Sequence, residues 1–131
     1  MNNNSESDKR ELEEISGYSW EELNQLTEID LSDKGIKKLP ECLGDLKNLQ
    51  KLDLRYNELD TVPETIGKLN NLQKLYLSEN QLASVPETIG NLQNLQYIDL
   101  GDNQLASVPE AIGNLQSLHV LELYRNQLTT L

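Results

Sequence analysis

The chain has 131 residues, of which 37% are hydrophobic, and it carries a net charge of −11. This length fits one domain, and the negative charge argues against nucleic acid as a ligand, favouring a protein partner with a basic or mixed-charge surface. With a single cysteine, Cys42, the chain cannot form an intrachain disulfide, and no apolar run approaches the roughly 18 residues of a membrane span. We therefore predict a cytoplasmic protein.

The amino-terminal part is polar and acidic. Residues 1–6 offer nothing to bury, and we predict a disordered tail there. Glutamates and leucines follow, Gly17 has the position of a helix C′ residue, and Ser19 and Glu22 have the spacing of a capping box. The sequence thus predicts a helical cap over residues 7–26 that covers the open end of the array described next.

A 23-residue period organises the rest of the chain. Residues 80–95 and 103–118 are identical at 14 of 16 positions, and the pattern LxxLxLxxNxL occurs four times at this spacing. Its central alternation predicts a short strand with leucines pointing inward. We expect about five stacked units over residues 27–131, the last of them incomplete, aligned at Leu31, Leu54, Leu77, Leu100 and Leu123.

A second motif, V-P-E-x-x-G, follows three of the strands. Proline favours the start of a helical turn and glycine favours its end, so the motif predicts one short helical or 3₁₀ turn. The slot occupied by Cys42, Thr65, Thr88 and Ala111 is expected to need only a small residue. The predicted class is therefore α/β.

These units resemble leucine-rich repeats of the 23-residue type whose outer segment reads LPxxIGxLxxL, and the resemblance covers residues 23–131. It implies a curved solenoid with a parallel β-sheet on the concave face and short helical or 3₁₀ turns on the convex face. It also implies protein binding as the usual task. Similar repeats occur in Ras-group and polarity scaffolds and in bacterial host-interaction proteins.

The outward strand positions vary between units, whereas the framework around them is nearly fixed. Parallel strands lie about 4.8 Å apart, so these positions form continuous columns. Tyrosines beside acids without a nearby base are typical of an interface for a basic partner. We predict that the partner-binding residues are Lys51, Asp53, Arg55, Lys74, Tyr76, Tyr97, Asp99, Glu122 and Tyr124.

The sequence shows no set of residues for catalysis, and we predict no catalytic residue, no metal site and no cofactor. His119 is the single histidine, and Cys42 lies in a turn slot. The recurring Asn57, Asn80 and Asn103, with Asn126 in the last unit, have amides that suit a structural ladder between loops. Lys34 replaces asparagine in the first unit, which places that unit at an exposed end.

Three alternatives remain open at this stage. The last unit stops at Leu131 before any turn motif, so the chain is expected to be part of a longer signalling or host-interaction protein, or to be covered by another molecule. Self-association through that edge would give a structural or assembly role. The paired acids Asp30 and Asp53 are a weak candidate for calcium, because flat strands rarely supply six to eight oxygens.

Overall fold

The computed structural model describes residues 3–129. Two helices, α1 (Asn3–Ser16) and α2 (Trp20–Leu23), precede five strands. The strands are β1 (Glu28–Asp30), β2 (Lys51–Asp53), β3 (Lys74–Tyr76), β4 (Tyr97–Asp99) and β5 (Val120–Glu122). They form one parallel sheet in chain order. We number the repeat units by their strands, so that unit 2 contains β2.

Between successive strands the chain returns through 3₁₀ turns, at Glu41–Asp45, Glu64–Lys68, Glu87–Asn91 and Glu110–Asn114. A strand of three residues and a turn of five fit within 23 residues, as the period requires. The parallel sheet and the short 3₁₀ turns confirm the predicted solenoid class.

The amino-terminal helices differ in part from the prediction. Helix α1 begins at Asn3, so the predicted disorder is wrong for residues 3–6, and residues 1 and 2 lie outside the described part. The capping box is confirmed, because the Glu22 N–H donates to Ser19 Oγ at 3.1 Å and the Ser19 N–H donates to Glu22 Oε1 at 2.9 Å. Leu12 and Leu23 are buried, and α1 packs on the first 3₁₀ turn.

The core is one continuous cluster of buried side chains, mostly leucine and isoleucine, with several from each of units 1 to 4. Leu52, Leu75 and Ile98 are fully buried at the centres of β2, β3 and β4. They are direct partners in the register, which pairs positions 23 residues apart. Each unit therefore covers its apolar side chains with the equivalent side chains of the next unit.

The asparagine ladder is confirmed. Asn80 Nδ2 donates to the carbonyls of Leu54 and Leu77 at 3.0 and 3.1 Å, and Asn80 Oδ1 accepts the Leu59 N–H at 3.0 Å. Asn57, Asn103 and Asn126 make equivalent bonds. Lys34, which lacks the amide, is exposed in unit 1, as expected.

The turn side has two features that the sequence analysis missed. Thr65 Oγ1 donates to the Glu41 carbonyl at 2.8 Å, and Thr88 Oγ1 donates to the Glu64 carbonyl at 2.7 Å. The expectation that this slot needs only a small residue is therefore wrong for the two threonines. A second amide ladder links the segments before the strands, through Asn48, Asn71 and Asn94.

The turn glycines have a different role from the one expected. The φ of Gly67 is not positive, but a Cβ at that position would lie 2.6 Å from the Thr88 carbonyl oxygen and 2.7 Å from its Cβ. Glycine is required because adjacent turns pack in contact, rather than because the turn must end there.

Candidate interaction surface on the sheet

The side of the sheet that faces away from the core carries the candidate residues, and we call it the sheet face. The register confirms the predicted columns: Asp53 is paired with Tyr76, Tyr76 with Asp99, and Asp99 with Glu122. A second column joins Lys51, Lys74, Tyr97 and Val120. The nine predicted residues therefore form one continuous surface across β2 to β5 and the residues that follow these strands.

In unit 2, an arginine side chain forms an ion pair with an aspartate. Arg55 Nε donates to Asp53 Oδ1 at 3.0 Å, and Arg55 Nη2 donates to Asp53 Oδ2 at 2.6 Å. The Arg55 backbone N–H also donates to Oδ1, at 3.1 Å. Asp53 is only 5% exposed although it lies on the outward side of its strand. The hydrogen bonds that Arg55 donates to Asp53 raise the pKa of the guanidinium, so Arg55 keeps its positive charge in this contact.

Tyr76 supports that pair. The Arg55 guanidinium carbon lies 5.1 Å from the centre of the Tyr76 ring, and Lys51 Nζ lies 5.5 Å from the same centre. Both distances are within the range of cation–π attraction. The cations of unit 2 are therefore held against an aromatic ring, and Asp53 is not available as a free acid.

In unit 4, the equivalent aspartate has different neighbours. Asp99 Oδ1 accepts the Gly101 N–H at 2.9 Å, as Asp53 accepts the Arg55 N–H, but Gly101 has no side chain to supply a cation. The Tyr124 hydroxyl donates to Asp99 Oδ2 over a long 3.5 Å. Asp99 is 7% exposed. Across residues 3–129, no lysine or arginine nitrogen lies within 4 Å of the Asp99 or Glu122 carboxylate.

Tyr124 takes the space that a side chain at position 101 would fill. A Cβ built on Gly101 would overlap the Tyr124 ring. Tyr124 itself is 46% exposed, and its ring rests on Gly101 while its hydroxyl reaches Asp99 and the buried Ser78 side chain. The sequence analysis did not detect this contact, because it joins residues in two different units.

Tyr97 links the two halves of the surface. Its ring centre lies 5.3 Å from that of Tyr76, at a tilt of 43°, which is a favourable aromatic geometry. Burial raises the pKa of Tyr97, and the negative charges of Asp99 and Glu122 raise it further. Burial and Asp99 also raise the pKa of Tyr124. Both tyrosines therefore carry neutral hydroxyls at neutral pH and can donate hydrogen bonds.

Arg125 pairs with an acid beside the sheet face. Arg125 Nη1 lies 3.6 Å from Asp102 Oδ1. The Arg125 side chain therefore forms its ion pair with Asp102 rather than with Asp99 or Glu122.

One row beside the sheet face adopts left-handed backbone conformations without glycine. Its φ angles lie between 51° and 60°, at Asp33, Tyr56, Glu79, Asp102 and Arg125. Each of these residues directly precedes the asparagine-ladder position of its unit, so the backbone changes direction at the same point in every unit. Tyr56 is exposed in this row. Because the residue types vary, the sequence carried no signal for it.

The single cysteine, Cys42, lies in a 3₁₀ turn, away from this surface. Burial raises the pKa of the Cys42 thiol to about 11, which disfavours the reactive thiolate. Within residues 3–129, no group of three or more histidine, cysteine, aspartate or glutamate side chains is close enough to hold a metal ion. No helix in the same part of the chain is long and apolar enough to cross a membrane.

Comparison with protein families gives two matches. A leucine-rich repeat region matches residues 4–100, and a pair of leucine-rich repeats matches residues 93–131. No curated protein matches the sequence significantly.

Solved structures give further similarity. A leucine-rich repeat protein of Leptospira interrogans is 44% identical with a TM-score of 0.82, and the match covers 84% of this chain and 28% of that one. A chain in the BIR3–SERK2 complex of Arabidopsis thaliana is 34% identical with a TM-score of 0.70, and the match covers 78% of this chain and 57% of that one. The chain therefore spans about a quarter and somewhat over half of the lengths of these two proteins.

Proposed function

The chain belongs to the leucine-rich repeat family, and we propose that it is a non-catalytic module that binds a protein partner on its sheet face. One observation carries the proposal: aromatic and charged side chains that differ between units are gathered on this face, above a framework that hardly varies. The similar chain from a solved protein complex supports an interaction role.

The charge of the surface favours a particular kind of partner. The Asp99 and Glu122 carboxylates lie beside Tyr97 and Tyr124, and the whole chain has a net charge of −11. A basic or mixed-charge protein would be attracted to this surface and would supply the missing cations. We include in the proposal a cytoplasmic location, where the Cys42 thiol would stay reduced, and a role as a signalling scaffold.

Site-specific photocrosslinking tests the proposal. A photoreactive amino acid replaces Val120 on the sheet face, and in a matched control it replaces Glu87, which is exposed on the turn side. We expect position 120 to form crosslinks with specific proteins, and we expect position 87 to form no crosslinks with those same proteins. Equal crosslinking of the same proteins from both positions would contradict a binding surface on the sheet.

The identified partner is then purified and its affinity is measured by calorimetry. Alanine at Tyr76, Tyr97 and Tyr124 together should abolish binding, and the circular dichroism spectrum should stay unchanged, since these side chains lie outside the leucine core. Wild-type affinity in this triple variant would overturn the proposal.

A second candidate function rests on the apolar side chains of units 4 and 5. Ile112, Leu121 and Leu123 are only partly buried, whereas the equivalent residues one unit earlier, Ile89, Ile98 and Leu100, are fully buried. Pairing of two copies over this surface would give an assembly role. Light scattering over a concentration series tests it, because a constant monomer mass at high concentration would exclude such pairing.

A further inference from the structure

Units 2 and 4 present the same carboxylate in the same setting, and unit 2 shows which group that setting accepts. Asp53 and Asp99 occupy equivalent positions, both are buried, and both accept a backbone N–H on Oδ1. At Asp53, a guanidinium then fills the remaining acceptor positions, with Nε on Oδ1 and Nη2 on Oδ2. The chain thus contains an internal example of the occupied site.

Unit 4 has the acceptors of that arrangement but lacks the arginine. Position 101 is glycine, and Arg125 is engaged with Asp102. Within residues 3–129, Asp99 Oδ2 accepts a side-chain hydrogen bond from Tyr124 alone, at a long 3.5 Å. Glu122 adds a second negative charge next to Asp99 in the register. A buried carboxylate beside another acid is stabilised by an incoming cation more than an exposed one would be.

Aromatic rings flank this carboxylate, as Tyr76 flanks the pair in unit 2. Asp99 is the direct register partner of Tyr76, and the Tyr97 ring packs against the Tyr76 ring. The Tyr124 ring rests on Gly101, is half exposed and lies outside the leucine core, so an outward turn would break its hydroxyl contacts with Asp99 and Ser78 but would leave the core intact. A planar cation entering from the partner could displace the Tyr124 hydroxyl and lie against the rings.

We propose that Asp99 is the receptor for an arginine side chain of the partner, which completes in unit 4 the ion pair that Arg55 makes within unit 2. The proposal rests on the proposed function and narrows the partner to a protein that projects an arginine onto the sheet face. Arginine is favoured over lysine because the two carboxylate oxygens match its fork of N–H donors.

A peptide titration followed by NMR tests this without the natural partner. The probes are N-acetyl-Gly-Arg-Gly-amide, its lysine analogue and its citrulline analogue, which keeps the shape of arginine without the charge. The amide signal of Gly101 is the readout, because its N–H donates to Asp99 Oδ1. We expect saturable shifts with the arginine peptide, binding about tenfold weaker with lysine, and no saturation with citrulline.

Two charge-matched variants separate a specific site from general attraction. D99N should abolish the saturable shift, whereas D30N should preserve it. Asp30 is the equivalent acid of unit 1, but it is exposed and its hydrogen-bond partner is Ser32. If the saturable shift is lost equally in the two variants, the net charge of the protein explains the binding, and the proposal is overturned.

Exchanging the two residues that distinguish the units gives the sharper test. R55G should open a second site at Asp53, so that the arginine peptide also shifts the amide signal of residue 55. G101R should place an arginine over Asp99 within the chain and block the peptide. If G101R does not fold, the D99N and R55G results still decide the matter. An R55G titration identical to that of the wild type, together with an unaffected D99N, would refute the assignment.

The result of the peptide titrations is independent of the result of the crosslinking experiment. Arginine binding at Asp99 with no partner captured on the sheet face would contradict the proposed function and leave the site intact. A partner captured on the sheet face whose affinity is unchanged by D99N would contradict the arginine site and leave the function intact.

Discussion

The turn side and the sheet face of this protein are under different constraints. On the turn side, Gly67 packs against Thr88 of the following unit, and threonine hydroxyls donate to carbonyls of the preceding turn, so the residue at each of these positions is constrained by a neighbouring unit. On the sheet face, equivalent positions hold Arg55 in one unit and Gly101 in another, with no change in strand register. Stability is therefore concentrated in the ladders and turns, and the sheet face is free to specialise in recognition.

The largest stability effect is expected from the buried amide ladder. Asn80→Ala removes bonds to Leu54, Leu77 and Leu59, which leaves buried backbone groups without partners, and we expect a loss of roughly 3 kcal/mol. Asn126→Ala is the control, because Asn126 makes similar bonds but is only partly buried, and water can replace them. Urea denaturation measures both, and equal losses would show that burial is not the deciding factor.

A glycine pair tests the packing of the turns. Gly67→Ala forces the Cβ into the backbone of Thr88, and we expect a loss of about 2 kcal/mol. The matched change Gly113→Ala meets nothing within 4 Å and should leave the free energy of unfolding nearly unchanged. Similar losses in the two variants would assign the glycines to turn conformation, as the sequence suggested, and not to contact between turns.

The threonine bonds should contribute less. Thr88→Ala removes the hydrogen bond to the Glu64 carbonyl and is expected to cost about 1 kcal/mol. Ala111→Thr offers the converse, since Ala111 occupies the same slot one unit later and a threonine there would gain a hydroxyl that can reach the preceding turn. Thermal unfolding of the two single variants and the double variant measures both effects. An increase in stability in Thr88→Ala would show that the threonine hydrogen bonds do not stabilise the turns.

The smallest effect is expected on the sheet face, in the acid range of pH. The Ser32 hydroxyl and then its N–H lower the pKa of Asp30 below 3.8. Because the folded pKa is the lower one, this contribution to stability is present above about pH 4 and is lost as the pH falls through the folded pKa. Ser32→Ala should raise the pKa of Asp30, and the stability difference from wild type should shrink toward low pH. Carboxyl NMR titration measures the pKa, and an unchanged value would exclude the hydroxyl as its main cause.

The sequence predicted the framework because the framework is periodic. The 23-residue spacing of Leu52, Leu75 and Ile98 predicted strands paired in register. The recurring asparagines predicted that each unit has backbone groups at the same point that a side-chain amide can bind. The same 23-residue spacing predicted which residues share a column of the sheet face. These features depend only on which residues recur and at what interval.

The site geometry could not be predicted in the same way. Whether Arg55 turns back onto Asp53, and whether Tyr124 lies over Gly101, depends on side-chain conformations chosen among neighbours of adjacent units. Arg125 is a further case, since its side chain lies 3.6 Å from Asp102 rather than on Asp99. The non-periodic residues are those to which we assign partner recognition in our proposal, so the least predictable positions are the ones on which the proposed function depends.

The ladder bonds have a consequence for how such a chain can change in length. The asparagine bonds join positions 21 or 26 residues apart, and the amide bonds before the strands span 24. A gain or loss of 23 residues within the array therefore carries each donor to an equivalent acceptor, whereas any other change leaves the bonds mismatched. Unequal recombination between the coding regions of the nearly identical segments 80–95 and 103–118 would produce such whole-unit steps, which would lengthen or shorten the sheet face while each ladder bond keeps an equivalent acceptor.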